Sequence, residues 1–132
     1  MYGAPSARTG IPNRSSPVSD HQKLEKLLPL SPTAFHVLVA MANGPRHGYA
    51  IAQEVEELTG GRIVMGPGTL YGSLGRLVSA ELIEEAANPG EEGLHAGRRR
   101  YYRMTPLGSA ALRSESERLL RAVNVAQERL GS

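Results

Sequence analysis

Apolar residues recur at helical intervals of three and four along most of the chain, but not in its first 18 residues. Residues 1–18 are rich in Gly, Ala, Pro, Ser and Arg, a composition that predicts a disordered tail. A short helix is predicted over residues 19–30, where Ser19 supplies an N-cap. Its apolar stripe consists of Leu24, Leu27 and Leu28. Because so short a helix is unstable alone, we expect the stripe to pack against another apolar surface.

Two further helices are bounded by clear start and stop signals. Ser31 and Pro32 fit the N-cap and the first position of a second helix, whose residues 34–42 are almost all apolar. The sequence Asn-Gly-Pro at 43–45 ends that helix. A third helix is predicted over residues 47–59, before a pair of glycines. Since a helix that is apolar on most sides is buried, the second helix is expected inside the core.

A fourth helix begins near Pro67 and carries two contrasting faces. Its apolar face consists of Leu70, Leu74, Leu77 and Val78. Its other face consists of small and polar residues, namely Thr69, Gly72, Ser73 and Arg76. A short polar face that begins near a helix N-terminus is typical of a helix that enters a DNA groove.

A segment rich in arginine and tyrosine forms the second strand of a predicted hairpin. Residues 82–85 favour a first strand, residues 86–97 a glycine-containing loop, and residues 98–105 the returning strand. Alternation of side chains predicts Tyr102 and Met104 as inward positions, and Arg99, Tyr101 and Arg103 as outward positions. Taken alone, this cationic face fits a solvated strand and a phosphate-binding surface about equally well.

The order of these elements predicts the fold class. Helices followed by a strand, a loop and a second strand make a winged helix-turn-helix, which we assign to residues 31–105. The protein is therefore expected to be mainly α with a small β-hairpin. Because the arginine strand directly follows a candidate recognition helix, the fold favours the phosphate-binding interpretation of that strand.

The last predicted helix, residues 106–132, carries a heptad pattern. Its seam consists of Leu112, Ser116, Leu119, Val123, Ala126 and Leu130, spaced alternately by four and three. The stripe could pack on its own domain, but a helix of roughly 40 Å, at 1.5 Å per residue, is too long for that alone. We therefore predict a dimerisation helix whose seam includes the three leucines of the first helix.

Charge and composition restrict the classes of function. The net charge of +2 arises from Arg8 and Arg14 in the tail, since the other basic residues balance the 13 acidic ones. Any nucleic-acid surface must therefore come from local clustering, and residues 98–103 form the densest cationic cluster. The chain has no cysteine, no apolar run of membrane length and no N-terminal apolar segment, so we expect a cytoplasmic protein without a membrane partner.

The sequence contains no recognisable catalytic or metal-binding constellation. Its four histidines are scattered, and no pair has ligand spacing on one helix face. A glycine-rich phosphate loop after a strand and a nucleophile elbow are also missing from the sequence. We therefore expect a protein that is not an enzyme and that uses no cofactor or metal.

Three motifs follow one another in fixed order. They are His-Gly-Tyr-Ala-Ile at 47–51, Gly-Thr-Leu-Tyr-Gly-Ser-Leu-Gly-Arg-Leu at 68–77, and Gly-Arg-Arg-Arg-Tyr-Tyr-Arg-Met-Thr-Pro-Leu-Gly at 97–108. Together they resemble the PadR family of bacterial transcriptional regulators, over residues 31–108. The resemblance implies a homodimeric winged-helix repressor that binds a palindromic operator on double-stranded DNA. Many such proteins release DNA when a small molecule binds, and the single helix after the wing resembles the short-tailed branch of the family.

The resemblance also implies which residues contact DNA. Residues 68–80 match the recognition helix. The implied DNA-binding residues are Tyr49, Gly68, Thr69, Tyr71, Ser73, Arg76, Arg98, Arg99 and Arg100. The two tyrosines can donate hydrogen bonds to phosphate, although Tyr71 fits equally well as a half-buried residue that braces the helices. The three arginines match the wing strand that lies along the DNA backbone.

The chain departs from the family pattern within the recognition helix. A proline commonly follows the tyrosine of this helix in the family, whereas this chain has Gly72 and then a second glycine, Gly75. Each glycine costs about 1 kcal/mol relative to alanine in a helix interior. The glycines either allow close approach of the backbone to DNA or make a flexible helix that orders on binding.

At the wing tip, Glu91 and Glu92 would be repelled by phosphate, which leaves the contact to the arginines.

The sequence leaves two alternatives. If there is an effector, we expect it in an aliphatic cavity near Phe35 and His36, because the chain has no Trp and one Phe. The competing function is a winged-helix module that binds protein and not DNA. A protein interface core usually avoids the charge density of the arginine strand, which favours DNA.

Overall fold

The computed structural model describes residues 17–87 and 100–131, except for the side chains of residues 17–20. The predicted tail up to residue 16 and the wing tip, with Arg98, Arg99 and both tip glutamates, lie outside the described residues. The helices are α1 (Pro17–Leu27), α2 (Pro32–Ala40), α3 (Gly48–Leu58), α4 (Pro67–Ser79) and α5 (Pro106–Arg129). The strands are β1 (Arg46–His47), β2 (Ile83–Ala86) and β3 (Tyr101–Met104).

Helix starts follow the capping signals in the sequence, except at α1. Ser31, His47 and Thr105 each accept a hydrogen bond from the backbone N–H three residues later, at 3.0 to 3.2 Å. Helix α1 begins at Pro17, so the predicted start at Ser19 is wrong. Proline suits the first helical position, because it has no N–H to leave unpaired there.

The core is built around α2, as its apolar sequence predicts. Val37 and Leu38 are fully buried, and α2 packs against α3, α4 and α5. The other buried apolar residues are Leu30, Ala40, Met41, Ile51, Val55, Leu70, Leu74, Leu77, Leu82, Ile83, Tyr102 and Ala111. The apolar pattern also predicts Leu58 on the inner face of α3, as it predicts Val78 on the apolar face of α4. Both predictions are wrong, since both residues are exposed. Leu58 is the last residue of α3, and Val78 is rotated by about 100° from its buried neighbour Leu77 on α4.

The sheet has three antiparallel strands in the order β1-β3-β2. The predicted hairpin is present as β2 and β3, where Ile83 pairs with Met104 and Ala86 with Tyr101. Strand β1 was not predicted, because two residues are too few to show a pattern of alternation. Tyr102 is buried and Arg103 is exposed, as their alternation predicts. The winged helix-turn-helix fold class is therefore confirmed.

The start of α5 is fixed against the wing by close backbone contacts. Thr105 donates its backbone N–H to the Leu82 carbonyl oxygen at 3.0 Å and its hydroxyl to the Glu81 carbonyl oxygen at 2.6 Å. One turn later, a Cβ at Gly108 would lie 2.0 Å from the Leu82 carbonyl oxygen. Only glycine allows α5 to approach the first strand of the wing this closely.

A buried carboxylate ties α5 to the linker between α1 and α2. Glu115 is 2% exposed and accepts two hydrogen bonds from the Arg118 guanidinium, at 2.9 and 2.7 Å. It also accepts a hydrogen bond from the backbone N–H of Leu30. Arg118 holds the pKa of Glu115 below its ordinary value of 4.5, although burial acts to raise it.

We predict that Gly108→Ala destabilises the protein, because the new methyl group would overlap a backbone carbonyl that has no free direction to move. The expected loss is about 1–3 kcal/mol in the free energy of unfolding. Gly75→Ala is the matched control, since a Cβ there meets no atom within 4 Å. In that control, alanine should stabilise α4 by about 1 kcal/mol. Chemical denaturation measures both, and equal shifts of the same sign would contradict the prediction.

We also predict that Glu115 makes the stability depend on pH in the acid range. A carboxyl group with a lowered pKa in the folded state stabilises the fold above its unfolded pKa, and this contribution is lost as pH falls through the folded pKa. Glu115→Gln should therefore lower the free energy of unfolding by about 1–3 kcal/mol at pH 7. The difference from wild type should shrink below pH 4.5.

The control for this variant is Glu117→Gln, an exposed neighbour on the same helix. Urea denaturation of the three proteins from pH 7 to pH 3 gives the comparison. A difference between wild type and Glu115→Gln that stays constant over that range would show that the carboxylate charge is not what stabilises the fold.

Candidate nucleic-acid interface

The outer face of α4 is exposed and has a low profile. Gly68, Thr69, Gly72, Gly75 and Arg76 all face away from the core. A Cβ at Gly68 or Gly75 would meet no atom within 4 Å, and one at Gly72 would meet only the end of Arg76, at 3.7 Å. No packing contact within the described residues therefore requires glycine on this face. Small residues there leave the helix backbone open to close approach by another molecule.

Ser73 does not lie on that outer face, so its predicted exposure is wrong. It is 7% exposed and lies beside Leu70, Leu74 and Leu77, one helical turn from two of them. Its hydroxyl accepts a hydrogen bond of 3.3 Å from the Arg76 guanidinium. Ser73 therefore contacts the guanidinium end of Arg76 and, being buried, is not itself available to a DNA groove.

The two tyrosines lie together at the junction of α3 and α4. Tyr49, in the first turn of α3, is 65% exposed, and Tyr71 retains nearly half of its exposure. The Tyr71 ring covers Gly48, where a Cβ would come within 2.9 Å of the phenol oxygen. A cleft of about 440 Å³ is lined by both tyrosines with His47 and Gln53. Tyr71 thus braces the two helices while keeping an exposed side, and Tyr49 is free at the surface.

The wing carries ion pairs that the sequence analysis did not predict. Arg103 Nε lies 2.7 Å from Glu84 Oε2, and Arg100 Nη1 lies 3.8 Å from Glu85 Oε2. Arg100 also forms a side-chain hydrogen bond with Tyr102. Burial raises the pKa of Tyr102, and this hydrogen bond opposes the shift. The available signal in the sequence was the acidic pair Glu84-Glu85 in the first strand and the arginines in the second, but the pairs follow from it only once the register of the strands is known.

The predicted dimerisation residues divide into two groups. Leu24, Leu27, Leu28 and Leu112 are partly buried against the core of the same chain. Leu119 is partly buried, whereas Val123, Ala126 and Leu130 are exposed, with Leu130 at 80%. Every described residue from position 121 onward is exposed, so the C-terminal segment of α5 extends beyond its own domain.

A cavity of about 210 Å³ lies behind α4, between that helix and the α1–α2 region. Its lining residues are Leu27, Leu30, Ser31, Thr33, Ala34, Ser73, Arg76, Leu77, Ala80 and Leu82. The predicted effector residues Phe35 and His36 follow Ala34 on α2 but are not among those that line it. His36 Nδ1 lies 2.7 Å from the Pro32 carbonyl oxygen, and its ring meets Phe35 edge-on at 5.4 Å.

Residues 17–87 and 100–131 contain no cluster of three or more His, Asp or Glu side chains arranged to hold a metal ion. No helix within these ranges is both long enough and apolar enough to cross a membrane.

The chain is similar to known proteins of one family. Residues 37–114 fit the model of the transcriptional regulator PadR-like family. A PadR family transcription regulator from Clostridium difficile R20291 has 25% identity and a TM-score of 0.62, over 76% of this chain and 100% of that chain. A transcriptional regulator from Clostridium thermocellum has 27% identity and a TM-score of 0.56, over 73% of this chain and 87% of that one.

A longer protein contains a related segment. An uncharacterized 37.1 kDa protein in transposon TN4556 of Streptomyces fradiae is 42% identical over 85 residues. The match covers 64% of this chain and 22% of that curated relative, so it concerns about a fifth of the longer protein. The family match extends from α2 through the wing into α5, over the elements that carry the candidate interface. The chain belongs to the PadR-like family of transcriptional regulators.

Proposed function

We propose that this protein is a sequence-specific DNA-binding regulator, a homodimer that represses transcription from a palindromic operator. The observation that carries the proposal is the exposed outer face of α4, which displays Thr69 and Arg76 among glycines with no packing role. A helix with such a face fits the major groove without steric hindrance, because its backbone can come near the base edges.

The proposal divides the contacts between two elements. Thr69 and Arg76 on α4 are assigned to base edges, where an arginine can form a bidentate contact with guanine. The arginines of the wing, with Tyr49 and Tyr71, are assigned to phosphates, which add affinity but carry no sequence information directly. Ser73 is left out of the contact set because it is buried.

The homodimer is supported by the exposed C-terminal segment of α5, from residue 121 onward. A helix segment that is exposed on all sides gains no stability from its own domain, and isolated helical segments of this length are marginal in water. Pairing with α5 of a second copy would bury Val123, Ala126 and Leu130 along a common seam. Two recognition helices would then meet half-sites about 34 Å apart, one turn of DNA.

Release by a small molecule completes the proposal, and the cavity behind α4 supports it. Arg76 lines this cavity and also belongs to the recognition helix, so a ligand that engages its guanidinium would withdraw it from DNA. A compound that fills the cavity should erase the DNase footprint of the protein on DNA upstream of its own gene. If no compound that binds the cavity alters the footprint, the protein binds DNA but is not released in this way.

The contact assignment predicts two separable effects on DNA binding. Arg98→Ala with Arg100→Ala should weaken binding to every duplex and reduce the slope of log affinity against log salt, by about 0.9 for each lost phosphate contact. Thr69→Ala or Arg76→Ala should instead reduce discrimination, by about 1–3 kcal/mol for a lost bidentate base contact. Fluorescence anisotropy with a duplex selected from a random library and with a scrambled duplex measures both quantities.

The matched control removes two exposed arginines from α5, Arg113→Ala with Arg129→Ala, and changes the net charge equally. An unchanged salt slope in the wing variant would contradict the wing assignment. If wild-type protein binds no duplex better than the scrambled one, the competing function is favoured, in which the winged helix binds another protein.

The seam predicts the oligomeric state. Leu119→Asp with Val123→Asp should yield monomers in sedimentation velocity, because two buried carboxylates in an apolar seam are costly to desolvate. The control is Arg121→Asp with Glu128→Asp, which alters exposed positions outside the predicted seam. A seam variant that remains a dimer while the fold is intact by circular dichroism would contradict this part of the proposal.

A further inference from the structure

The two acidic residues of β2 lie on opposite faces of the sheet. The register places Glu84 opposite Arg103 and Glu85 opposite Tyr102. Since paired residues share a face and neighbours alternate, Glu85 lies on the face of Tyr102, and Glu84 lies on the other. The two adjacent carboxylates therefore lie on two different surfaces of the wing.

The Glu85 face is the one that adjoins the recognition helix. Arg100 is two residues before Tyr102 and shares its face, with its Nη1 atom 3.8 Å from Glu85 Oε2. Tyr102 forms a side-chain hydrogen bond with Arg100, and the nearby Glu85 and Tyr71 of α4 act to raise the pKa of Tyr102. These four side chains form a cluster, which we call the wing–helix cluster, between the wing and α4.

Among the four side chains of the wing–helix cluster, Arg100 carries the positive charge that would attract a DNA phosphate. A carboxylate and a phosphodiester present anionic oxygens to a guanidinium in similar ways. Arg100 and Glu85 are 67% and 60% exposed, so the pair is weak and can separate without unfolding the wing. Separation nevertheless has a cost, and Glu85 would also repel a phosphate placed at the same guanidinium.

We propose that Glu85 is an affinity-setting residue that competes with DNA phosphate for Arg100. It acts through Arg100 and lowers the affinity for every duplex, whatever its sequence. Glu84 does not share this role, because its partner Arg103 lies on the opposite face. The inference rests on the proposed DNA-binding function and adds a residue that opposes it.

The test compares Glu85→Gln with Glu84→Gln, which are isosteric changes of equal charge at adjacent exposed positions. Glu85→Gln should raise affinity about three- to fivefold for selected and scrambled duplexes alike, the factor set by a weak exposed ion pair. It should also steepen the salt slope by up to about 0.9, as Arg100 gains a phosphate. Glu84→Gln should change both quantities less.

A double-mutant cycle separates competition from the general effect of charge. In an Arg100→Ala background, Glu85→Gln should lose most of its gain, because the residue for which it competes is missing. An equal gain from both glutamines, or a gain that persists without Arg100, would overturn the inference while leaving DNA binding intact. Wild-type protein that binds no duplex would overturn the proposed function itself, and the two failures are therefore distinguishable. Equal thermal unfolding midpoints verify that each variant is folded.

Discussion

Close packing of Gly108 against the Leu82 carbonyl group holds α4, the wing and α5 in one arrangement. Leu82 also donates its backbone N–H to the Leu77 carbonyl oxygen at 3.0 Å, so the end of α4 meets the start of α5 at one residue. Glu81, which precedes it, has a φ of 67°, and turns the chain from α4 into β2. Helix α4, the wing and α5 are thus positioned from one backbone junction.

This junction explains how a small domain keeps α4 and the wing, the two elements proposed to face DNA, in register. Thr105 closes the wing by bonding back to Glu81 and Leu82, and it also caps α5. A displacement of α5, for example by a second copy in the proposed dimer, would therefore act on the wing and on α4 together. Lys23 of α1 pairs with Glu81 at 2.6 Å, which attaches the first helix to the same point.

The electrostatics of the candidate interface are more balanced than its arginines alone indicate. Within the described part of the wing, Arg100 and Arg103 each face a glutamate of β2. Exposed ion pairs of this kind contribute little to stability. Their main effect is to weaken the attraction between the wing arginines and an approaching polyanion. Because the wing surface is partly neutralised in the free protein, binding in the proposed complex depends more on the contacts that α4 makes with the DNA sequence.

The fold class, the burial of α2, the inward position of Tyr102 and the family motifs could all be predicted from the sequence. These follow from local periodicity, capping residues and turn signals, which act over a few neighbouring residues. Tertiary structure alone decided the burial of Ser73, the two-residue strand β1, the cavity behind α4 and the acidic partners of the wing arginines. Each of these depends on which residues meet across distant segments, and a one-residue change of register or helix rotation would alter it.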